Sequence, residues 1–307
     1  MADCPDSAIN PEKATELLLN TEDISFLRHH SIMPRTDKEK SEEISDIDET
    51  KRLEHRLRTV ERRDRMLRKR RTEERMVLEE VFDRSTLMII YELMNKGEIE
   101  DIFGVAKAGK ESRLYWGKAP NGEEIAIKIY LTTSAEFKKG MLPYIMGDPR
   151  FKKVKRDTRS LVYAWALKEF KNLSSAHEAG VRVPRPIAVK KNVLLMEFIG
   201  KDGIGAPLMK EAELSNPKQI LRRLLADLKK LFTKAKLIHG DLSEYNVMIW
   251  EGKPVIFDLS QTVPLEHPNA ESLLKRDLEN LHRFFKKQGV SVPSADEMFR
   301  GIVGARA

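Results

Sequence analysis

Alternating apolar and polar residues predict a small antiparallel sheet in the first half of the ordered chain. The pattern indicates three short strands, near 100–106, 112–117 and 124–130. An Asn121-Gly122 pair separates the last two strands, and this dipeptide between apolar runs strongly favours a hairpin. Lys128 stands between two isoleucines of the third strand, so its side chain is expected to project from the opposite face.

Apolar residues at helical spacing predict helices on either side of this sheet. The stretch STLMIIYELMNKG indicates an amphipathic helix that begins at Ser85 and is closed by Gly97. RSLVYAWALKEFKNLSSAHEAGV predicts a second helix, on which Glu169 is placed to turn toward the sheet. The spacing leaves open whether Leu167 or Lys168 faces the core.

The second half of the chain combines a strand pair, helices and two unusual buried stretches. VPRPIAVKKNVLLMEFIGKDG predicts a proline-punctuated hairpin followed by a short connector. PKQILRRLLADLKKLFTKA and KRDLENLHRFFKKQG predict helices, the latter with Leu278, Leu281 and Phe285 in the core. LIHGDLSEYNVMIW and PVIFDLSQ are apolar runs interrupted by charged and amide side chains.

The segments that precede the sheet differ sharply in charge. Residues 1–50 are acid-rich, poor in aromatic residues and without a sustained period, which predicts a disordered tail. Residues 51–83 contain strong helix formers and neither Gly nor Pro, which predicts a long charged helix. Two interpretations of its basic part, 51–75, stay open: a solvated face with paired charges, or an RNA contact in which the cations of RRDRMLRKRR bind phosphates.

Composition excludes several classes of protein. Cys4 is the single cysteine, so neither an internal disulfide framework nor a cysteine-rich zinc site is expected. No apolar run has the roughly 18–20 residues that a membrane helix needs, and the N-terminus lacks the pattern of a secretory signal. We therefore expect a cytoplasmic protein without membrane contact. A net charge of +7 is compatible with a nucleic-acid partner.

The polar residues inside the buried stretches suggest a site, because an unpaired buried charge costs several kcal/mol. His239, Asp241 and Asn246 interrupt one stretch, and Asp258 ends the other. Together with the strand lysine and the helix glutamate, they form the set of groups that phosphoryl transfer needs.

Each role in that chemistry has a candidate residue. Lys128 is expected to neutralise nucleotide phosphates, and Glu169 to orient it. Asp241 is the candidate catalytic base, whereas Asn246 and Asp258 are candidate Mg²⁺ ligands through hard oxygen atoms. His239 is interpreted as a structural hydrogen-bonding residue rather than a base.

At these residues the chain resembles the RIO kinases, an atypical protein kinase family, and specifically their type-one branch in its archaeal form. HGDLSEYN and IFDLSQ are similar to that branch's catalytic and metal loops. The resemblance spans roughly 84–290. It implies an α+β, bilobal protein-kinase-like fold whose reduced, mainly helical C-lobe lacks the activation segment and the peptide-binding helices. It also implies Lys128, Asp241 and Asp258 as catalytic residues.

The resemblance divides the chain into an N-lobe, a hinge, a C-lobe and a tail. The expected bounds are 84–196, 197–203, 204–290 and 291–307. Only 307 − 258 = 49 residues follow Asp258, and they contain no A-P-E motif. This count independently argues against the peptide-binding platform of ordinary protein kinases.

Nucleotide contacts are also implied by the resemblance. AGKES is similar to the family's phosphate loop STGKEA, with Ala108 and Lys107 where the family has hydroxyl residues. It implies phosphate contacts from Lys110 and Ser112, and hinge contacts from Met196, Glu197 and Ile199 to the nucleotide. Residues 132–160 resemble the family's mobile insertion.

Three functions follow as hypotheses. The first is an ATP- and Mg²⁺-dependent serine/threonine-type kinase or ATPase, with Mn²⁺ as a possible substitute, that autophosphorylates and matures the small ribosomal subunit through contacts with rRNA and ribosomal proteins. The second is a small-molecule phosphotransferase of the aminoglycoside or choline type, although the C-terminal part is short for a substrate pocket. The third is an ATP-binding assembly scaffold with little turnover.

Overall fold

The computed structural model describes residues 83–109, 111–132, 135–151, 154–155 and 157–304, all of them within one structural unit. The predicted acidic tail and the charged helix up to residue 82 lie outside the described residues, and so does Lys110.

A five-stranded sheet forms the N-terminal lobe. Its strands are β1 (Asp101–Ala108), β2 (Ser112–Lys118), β3 (Glu124–Tyr130), β4 (Pro186–Lys190) and β5 (Val193–Glu197). All neighbouring pairs are antiparallel, in the order β1-β2-β3-β5-β4. The three strands predicted from alternation are confirmed, and so is the hairpin: Gly122 has a φ of +82°, in the left-handed region that favours glycine.

Both faces of strand β3 are buried, and each face packs against a different part of the protein. Ile127 and Ile129 pack into a core cluster beneath helix α1 (Arg84–Asn95). Lys128 points to the other face, as predicted from the alternation, and is 9% exposed. The central strand of the sheet therefore carries its lysine into the interior of the molecule.

The N-cap of helix α1 lies two residues earlier than predicted. Asp83, not Ser85, is the N-cap: its Oδ1 accepts hydrogen bonds of 3.1 Å from the backbone N–H groups of Ser85 and Thr86. Both Asp and Ser are good N-caps, so the sequence offered two starts, and the charged acceptor took the position. Ile89 and Ile90 face the sheet.

Two helices follow β3 and lead to the predicted glutamate. They are α2 (Ala135–Met146) and α3 (Thr158–Glu178), with a short 3₁₀ turn at Pro149–Phe151. Met141 and Ile145 of α2 pack in one cluster with Trp165 of α3. On α3 the open question of register is decided: Lys168 is 0% exposed, whereas Leu167 is 37% exposed.

A small hairpin lies at the predicted hinge and is tied to the N-terminal lobe. It consists of β6 (Gly200–Lys201) and β7 (Ile204–Gly205). The carboxylate of Glu124 on β3 accepts hydrogen bonds of 3.1 Å from the backbone N–H groups of Asp202 and Gly203. The same carboxylate accepts a 2.9 Å bond from the indole Nε1 of Trp116.

The C-terminal lobe is mainly helical. Its elements are α4 (Pro217–Thr233), β8 (Leu237–Ile238), β9 (Val247–Trp250), β10 (Lys253–Ile256), β11 (Val263–Pro264), α5 (Ala270–Lys287) and α6 (Ala295–Val303), with a 3₁₀ turn at Leu259–Gln261. Strands β9 and β10 form one antiparallel pair, and β8 and β11 form another. Leu278, Leu281 and Phe285 of α5 are each 0% exposed, which confirms their predicted place in the core.

The predicted boundary at residue 290 is wrong. Helix α6 lies in the segment that we expected to be a short tail, and Met298 and Ile302 join the main core cluster of the C-terminal lobe. A capping box at its start, in which Ser294 and Glu297 exchange hydrogen bonds, fixes the helix. Sequence analysis missed it because the helix spans nine residues, fewer than the window of about 11–18 residues over which helical periodicity is usually recognised.

The connection between Asp258 and α5 is short. Residues 259–269 hold one 3₁₀ turn and β11, and the described chain after them consists of α5 and α6 with their connection. Among the described residues, no helix is both long enough and apolar enough to cross a membrane.

Candidate active site

Three predicted residues from distant parts of the chain meet between the lobes. Nζ of Lys128 lies 2.9 Å from each carboxylate oxygen of Glu169 on α3. The same ammonium group donates to Oδ1 of Asp258 at 3.1 Å. The lysine is thus held between two carboxylates, one fully buried and one with 40% of its side chain exposed.

Lys128 and Asp258 each favour the charged form of the other, whereas burial raises the pKa of Glu169 to about 7 against the attraction of Lys128. Burial disfavours the charged form of Lys128, but Asp258 and Glu169 outweigh that cost and raise the pKa of its ammonium group. Burial also disfavours ionised Asp258, yet Lys128 and the hydroxyl of Ser260 lower the pKa of this carboxyl below its usual value. A cation and an exposed carboxylate are therefore both present at neutral pH.

The predicted base and the predicted amide ligand lie on one loop between β8 and β9. Nδ2 of Asn246 donates to the backbone oxygen of Asp241 at 2.7 Å and to its Oδ2 at 3.3 Å. Because the amide nitrogen is bonded to Asp241, the amide oxygen is the atom through which Asn246 could bind a cation. Burial raises the pKa of Asp241, although Arg276 pulls it in the opposite direction.

His239 has the surroundings of a structural residue, in line with its interpretation from sequence. It is 0% exposed, and burial lowers the pKa of its imidazole to about 4. Its Nδ1 accepts from the backbone N–H of Asp241 at 3.3 Å, so Nε2 carries the proton and donates to the backbone oxygen of Phe257 at 3.3 Å. The neutral ring joins the loop of Asp241 to the strand that ends at Asp258.

Helix α5 holds the same loop through a residue that sequence analysis missed. The two carboxylate oxygens of Asp277 accept 2.8 Å hydrogen bonds from the backbone N–H groups of Gly240 and Leu242, on either side of Asp241. Nδ2 of Asn280 donates to the backbone oxygen of Leu242 at 3.0 Å. An aspartate in an amphipathic helix is ordinarily a surface residue. The one feature of the sequence that indicated burial of Asp277 was its place on the apolar face of the helix beside Leu278.

A cavity of about 250 Å³ opens beside the lysine. Of the predicted residues, Ser112, Lys128, Glu169, Met196 and Asp258 line it. Asp241 and Asn246 do not line it, but Phe257, which lines it, is bonded through its backbone N–H to the backbone oxygen of Asn246 at 3.0 Å.

Two predicted hinge residues turn their side chains elsewhere. The carboxylate of Glu197 accepts a 3.0 Å hydrogen bond from the backbone N–H of Arg185. The side chain of Ile199 packs with Ala206 and Val255. Only backbone atoms of Glu197 and Ile199 are therefore left for the predicted contact with a nucleotide base.

Sequence analysis also missed an acidic residue in the cavity wall. Glu111, next to the predicted phosphate loop residues, lines the cavity, and burial together with Asp258 raises the pKa of its carboxyl. The resemblance of AGKES to the family's phosphate loop indicated Lys110 and Ser112, the residues on either side of Glu111, but not the acid itself.

The donors present fit a magnesium nucleotide. Asp258 is ionised and exposed, and Asn246 could bind a cation through its amide oxygen. Within the described residues there is no group of three His, Cys, Asp or Glu side chains that would hold a metal alone. Two protein oxygens are what Mg²⁺ takes when substrate phosphates and water complete its octahedron.

A strand lysine paired with a helix glutamate and an aspartate that follows a buried strand line one inter-lobe cavity, and a loop aspartate with a downstream asparagine is hydrogen-bonded to the wall of that cavity. This combination of groups defines a protein-kinase-like phosphotransferase. Comparison with known proteins gives the family. The model of the RIO domain matches residues 113–298. The chain belongs to the RIO kinase family, and its relatives place it in the type-one branch.

The relatives are kinases from archaea and eukaryotes. The chain is 39% identical over 228 residues to the RIO-type serine/threonine-protein kinase Rio1 of Haloferax volcanii, covering 74% of this chain and 78% of that protein. It is 38% identical over 234 residues to the serine/threonine-protein kinase RIO1 of Caenorhabditis elegans, covering 75% of this chain but 46% of the relative.

A solved structure supports the fold. The Rio2 kinase of Chaetomium thermophilum, determined as an ADP/Mg²⁺-phosphoaspartate complex, superposes with a TM-score of 0.54 at 22% identity, covering 69% of this chain and 65% of that one. The predicted bilobal, protein-kinase-like α+β fold is thereby confirmed. The protein is a phosphotransferase of the serine/threonine-protein kinase class.

Proposed function

We propose that this protein is an Mg·ATP-dependent atypical serine/threonine kinase and ATPase that autophosphorylates and acts in maturation of the small ribosomal subunit. The observation that carries the catalytic part is the placement of Lys128 Nζ within 3.1 Å of both Glu169 and Asp258 at the wall of the cavity.

The residues divide the work as follows. Lys128 attracts the phosphates, and Glu169 holds the lysine in place. Asp258 and Asn246 would hold Mg²⁺, which would neutralise charge on the phosphates. Asp241 accepts the proton of the attacking hydroxyl or water, a task favoured by the raised pKa of its carboxyl.

ATP hydrolysis has a second route through the protein itself. The exposed carboxylate of Asp258 is ionised, and the Rio2 complex is described as a phosphoaspartate. In this route an oxygen of Asp258 bonds to the γ-phosphorus of ATP, the bond to the bridging oxygen breaks, and ADP leaves. Water then attacks the acyl phosphate, its proton passes to Asp241, and inorganic phosphate is released.

The ribosomal role rests on the family and on charge. The relatives named above are type-one RIO kinases, and the resemblance implies pre-ribosomal small subunits as their setting. Cations concentrated in RRDRMLRKRR suit contact with rRNA phosphates, while ribosomal proteins would supply the remaining contacts. The short connection between Asp258 and α5 leaves no peptide platform among the described residues, which favours a particle over a free peptide as substrate.

The test uses γ-labelled ATP with Mg²⁺, counting protein-bound label and free phosphate together. Asp241→Asn should lower both by about 10²–10⁴-fold while ADP affinity stays within twofold, because a general base acts in the chemical step. Asp296→Asn, an exposed aspartate on α6, is the matched control and should leave both products unchanged. Near wild-type turnover of the Asp241 variant would refute its assigned role. Absence of both products in the wild type, with ADP bound, would favour the scaffold hypothesis. Addition of purified pre-ribosomal small subunits then tests the partner: turnover that does not respond would count against it.

A further inference from the structure

Helix α3 carries a buried cation that the phosphoryl-transfer scheme does not use. Lys168 is 0% exposed, and its Nζ donates to two backbone oxygens, that of Ser260 at 3.0 Å and that of Thr262. Among the ion pairs of the described residues none includes Lys168, so carbonyl groups are its direct partners. Burial lowers the pKa of this lysine to about 7, with Asp148 opposing the shift.

One helical turn further along, an amide reinforces the same contact. Nδ2 of Asn172 donates to the backbone oxygens of Leu259 at 2.8 Å and of Thr262 at 3.1 Å. Its orientation is fixed from the other side, because Oδ1 accepts a 2.8 Å hydrogen bond from the guanidinium of Arg150. Positions four residues apart lie on one face of a helix, so Lys168 and Asn172 act on the loop together.

The loop that they hold begins at the predicted metal ligand. Asp258 has a φ of +59°, in the left-handed region that a non-glycine residue rarely adopts without support. The hydroxyl of Ser260 donates to Oδ1 of Asp258 at 2.8 Å, and the hydroxyl of Thr262 donates to the backbone oxygen of His239 at 3.1 Å. We call residues 258–262 the metal loop.

Helix α3 therefore reaches Asp258 by two routes. Glu169 reaches its carboxylate through Lys128, and the preceding residue, Lys168, reaches the backbone that follows it. In protein kinases generally, the lysine–glutamate pair and the metal-binding aspartate must both be in place, and a phosphorylated activation segment controls that arrangement. Here a direct bridge between helix and metal loop stands where such a segment would act.

We propose that Lys168 and Asn172 are positioning residues that lock the metal loop to α3 and thereby set the affinity of Asp258 for the divalent cation. The proposal rests on the proposed function, because it concerns the metal of the same site. These contacts keep the metal loop at a fixed position relative to α3, so that the aspartate is held in its metal-binding orientation without an activation segment.

The test measures metal dependence of ADP binding rather than turnover. Isothermal titration gives ADP affinity without metal and as a function of Mg²⁺, and electron paramagnetic resonance counts bound Mn²⁺ in the presence of ADP. Lys168→Met keeps length but removes the donor, Lys168→Arg restores a donor, and Lys171→Met is the matched control on the exposed face of α3.

Lys168→Met should raise the Mg²⁺ concentration for half-maximal ADP binding about tenfold or more, as expected for loss of two buried hydrogen bonds. Metal-free ADP affinity should stay within twofold, Lys168→Arg should recover part of the loss, and Lys171→Met should behave as the wild type. An unchanged Mg²⁺ requirement in folded Lys168→Met would overturn the proposal, as would an equal loss of metal-free and metal-supported binding.

A milder variant tests the proposal if Lys168→Met fails to fold, which would be seen as the absence of a cooperative unfolding transition. Asn172→Ser removes two hydrogen bonds to the metal loop and leaves Lys168 in place, and it should raise the Mg²⁺ requirement severalfold. No shift in this variant would overturn the proposal. Failure of the proposed function has a different signature, because ADP binding by the wild type would then show no dependence on Mg²⁺ or Mn²⁺.

Discussion

The sharpest prediction concerns the two hydrogen bonds by which Asp277 holds the loop of Asp241, which we call the clamp. Asp277 is 0% exposed, and its two carboxylate oxygens each accept a 2.8 Å hydrogen bond from a backbone N–H, those of Gly240 and Leu242. The loop residue between these two amides is the predicted base. Removal of the carboxylate should therefore affect stability and chemistry together.

The magnitude follows from the two bonds. Asp277→Ala leaves two buried N–H groups without an acceptor, at about 1–3 kcal/mol each, so the free energy of unfolding should fall by roughly 2–6 kcal/mol. Asp277→Asn keeps one acceptor oxygen and turns an NH₂ group toward the other N–H, so a loss of about 2 kcal/mol is expected. Since a displacement of about 1 Å costs about 10²-fold in rate, turnover of the Asn variant should fall by about that factor.

The assay combines urea unfolding, followed by the fluorescence of the three tryptophans, with release of labelled phosphate from ATP. Asp227→Asn is the matched control: this buried aspartate of α4 bonds to Lys230 at 2.7 Å, outside the active site, and its loss should cost under about 1 kcal/mol with turnover unchanged. Stability within 0.5 kcal/mol of the wild type (about the error of such data) together with turnover within twofold for Asp277→Asn would refute the clamp.

Three further predictions concern other parts of the fold. The pKa of His239 is about 4 in the folded state against 6.5 for a free imidazole, so protonation of the unfolded chain lowers the free energy of unfolding as pH falls from 6.5 toward 4. Between pH 7.5 and pH 5 the wild type should lose about 2 kcal/mol more of this free energy than His239→Gln. Equal losses in the two proteins would contradict the prediction. Glu124→Gln should loosen the hinge hairpin, seen as faster hydrogen exchange at Gly203 and a changed environment of Trp116, with the exchange of α5 as the internal control; unchanged exchange would argue against the anchor. Ile302→Ala should lower the free energy of unfolding by about 2–4 kcal/mol, because α6 is part of the core. A loss under about 0.5 kcal/mol would show that α6 does not contribute to the core.

Local patterns predicted most of the secondary structure. Alternation found the first three strands within about two residues, since a period of two is visible in a window of seven or eight residues. Helical spacing and capping residues placed the start of α1 two residues too late and did not predict α6. At α1 two nearby residues could serve as the N-cap, and Asp83 took that position. At α6 the helix is only nine residues long, and its packing in the core shows that it is part of the domain.

The candidate site was predicted as a set of residue types, and the structure arranged them. The motifs HGDLSEYN and IFDLSQ identified Asp241, Asn246 and Asp258 before any geometry was known. Asp277 was not predicted and Lys168 was left as one of two candidates for the core, because each lies in a helix where a charged residue is ordinarily exposed. Burial and bonding partners, which belong to the folded chain, distinguish these two from a surface aspartate or lysine.

By itself, the sequence determined the elements, the chemistry of the motifs and the family, because these depend on neighbours along the chain. Only the tertiary structure decided that Lys128 lies within hydrogen-bonding distance of Glu169, 41 residues away, and of Asp258, 130 residues away. It also decided which of two adjacent positions on α3 faces inward, and therefore that a buried lysine braces the metal loop. Such contacts arise when separate elements pack against one another, and no local pattern of residues encodes the distance between them.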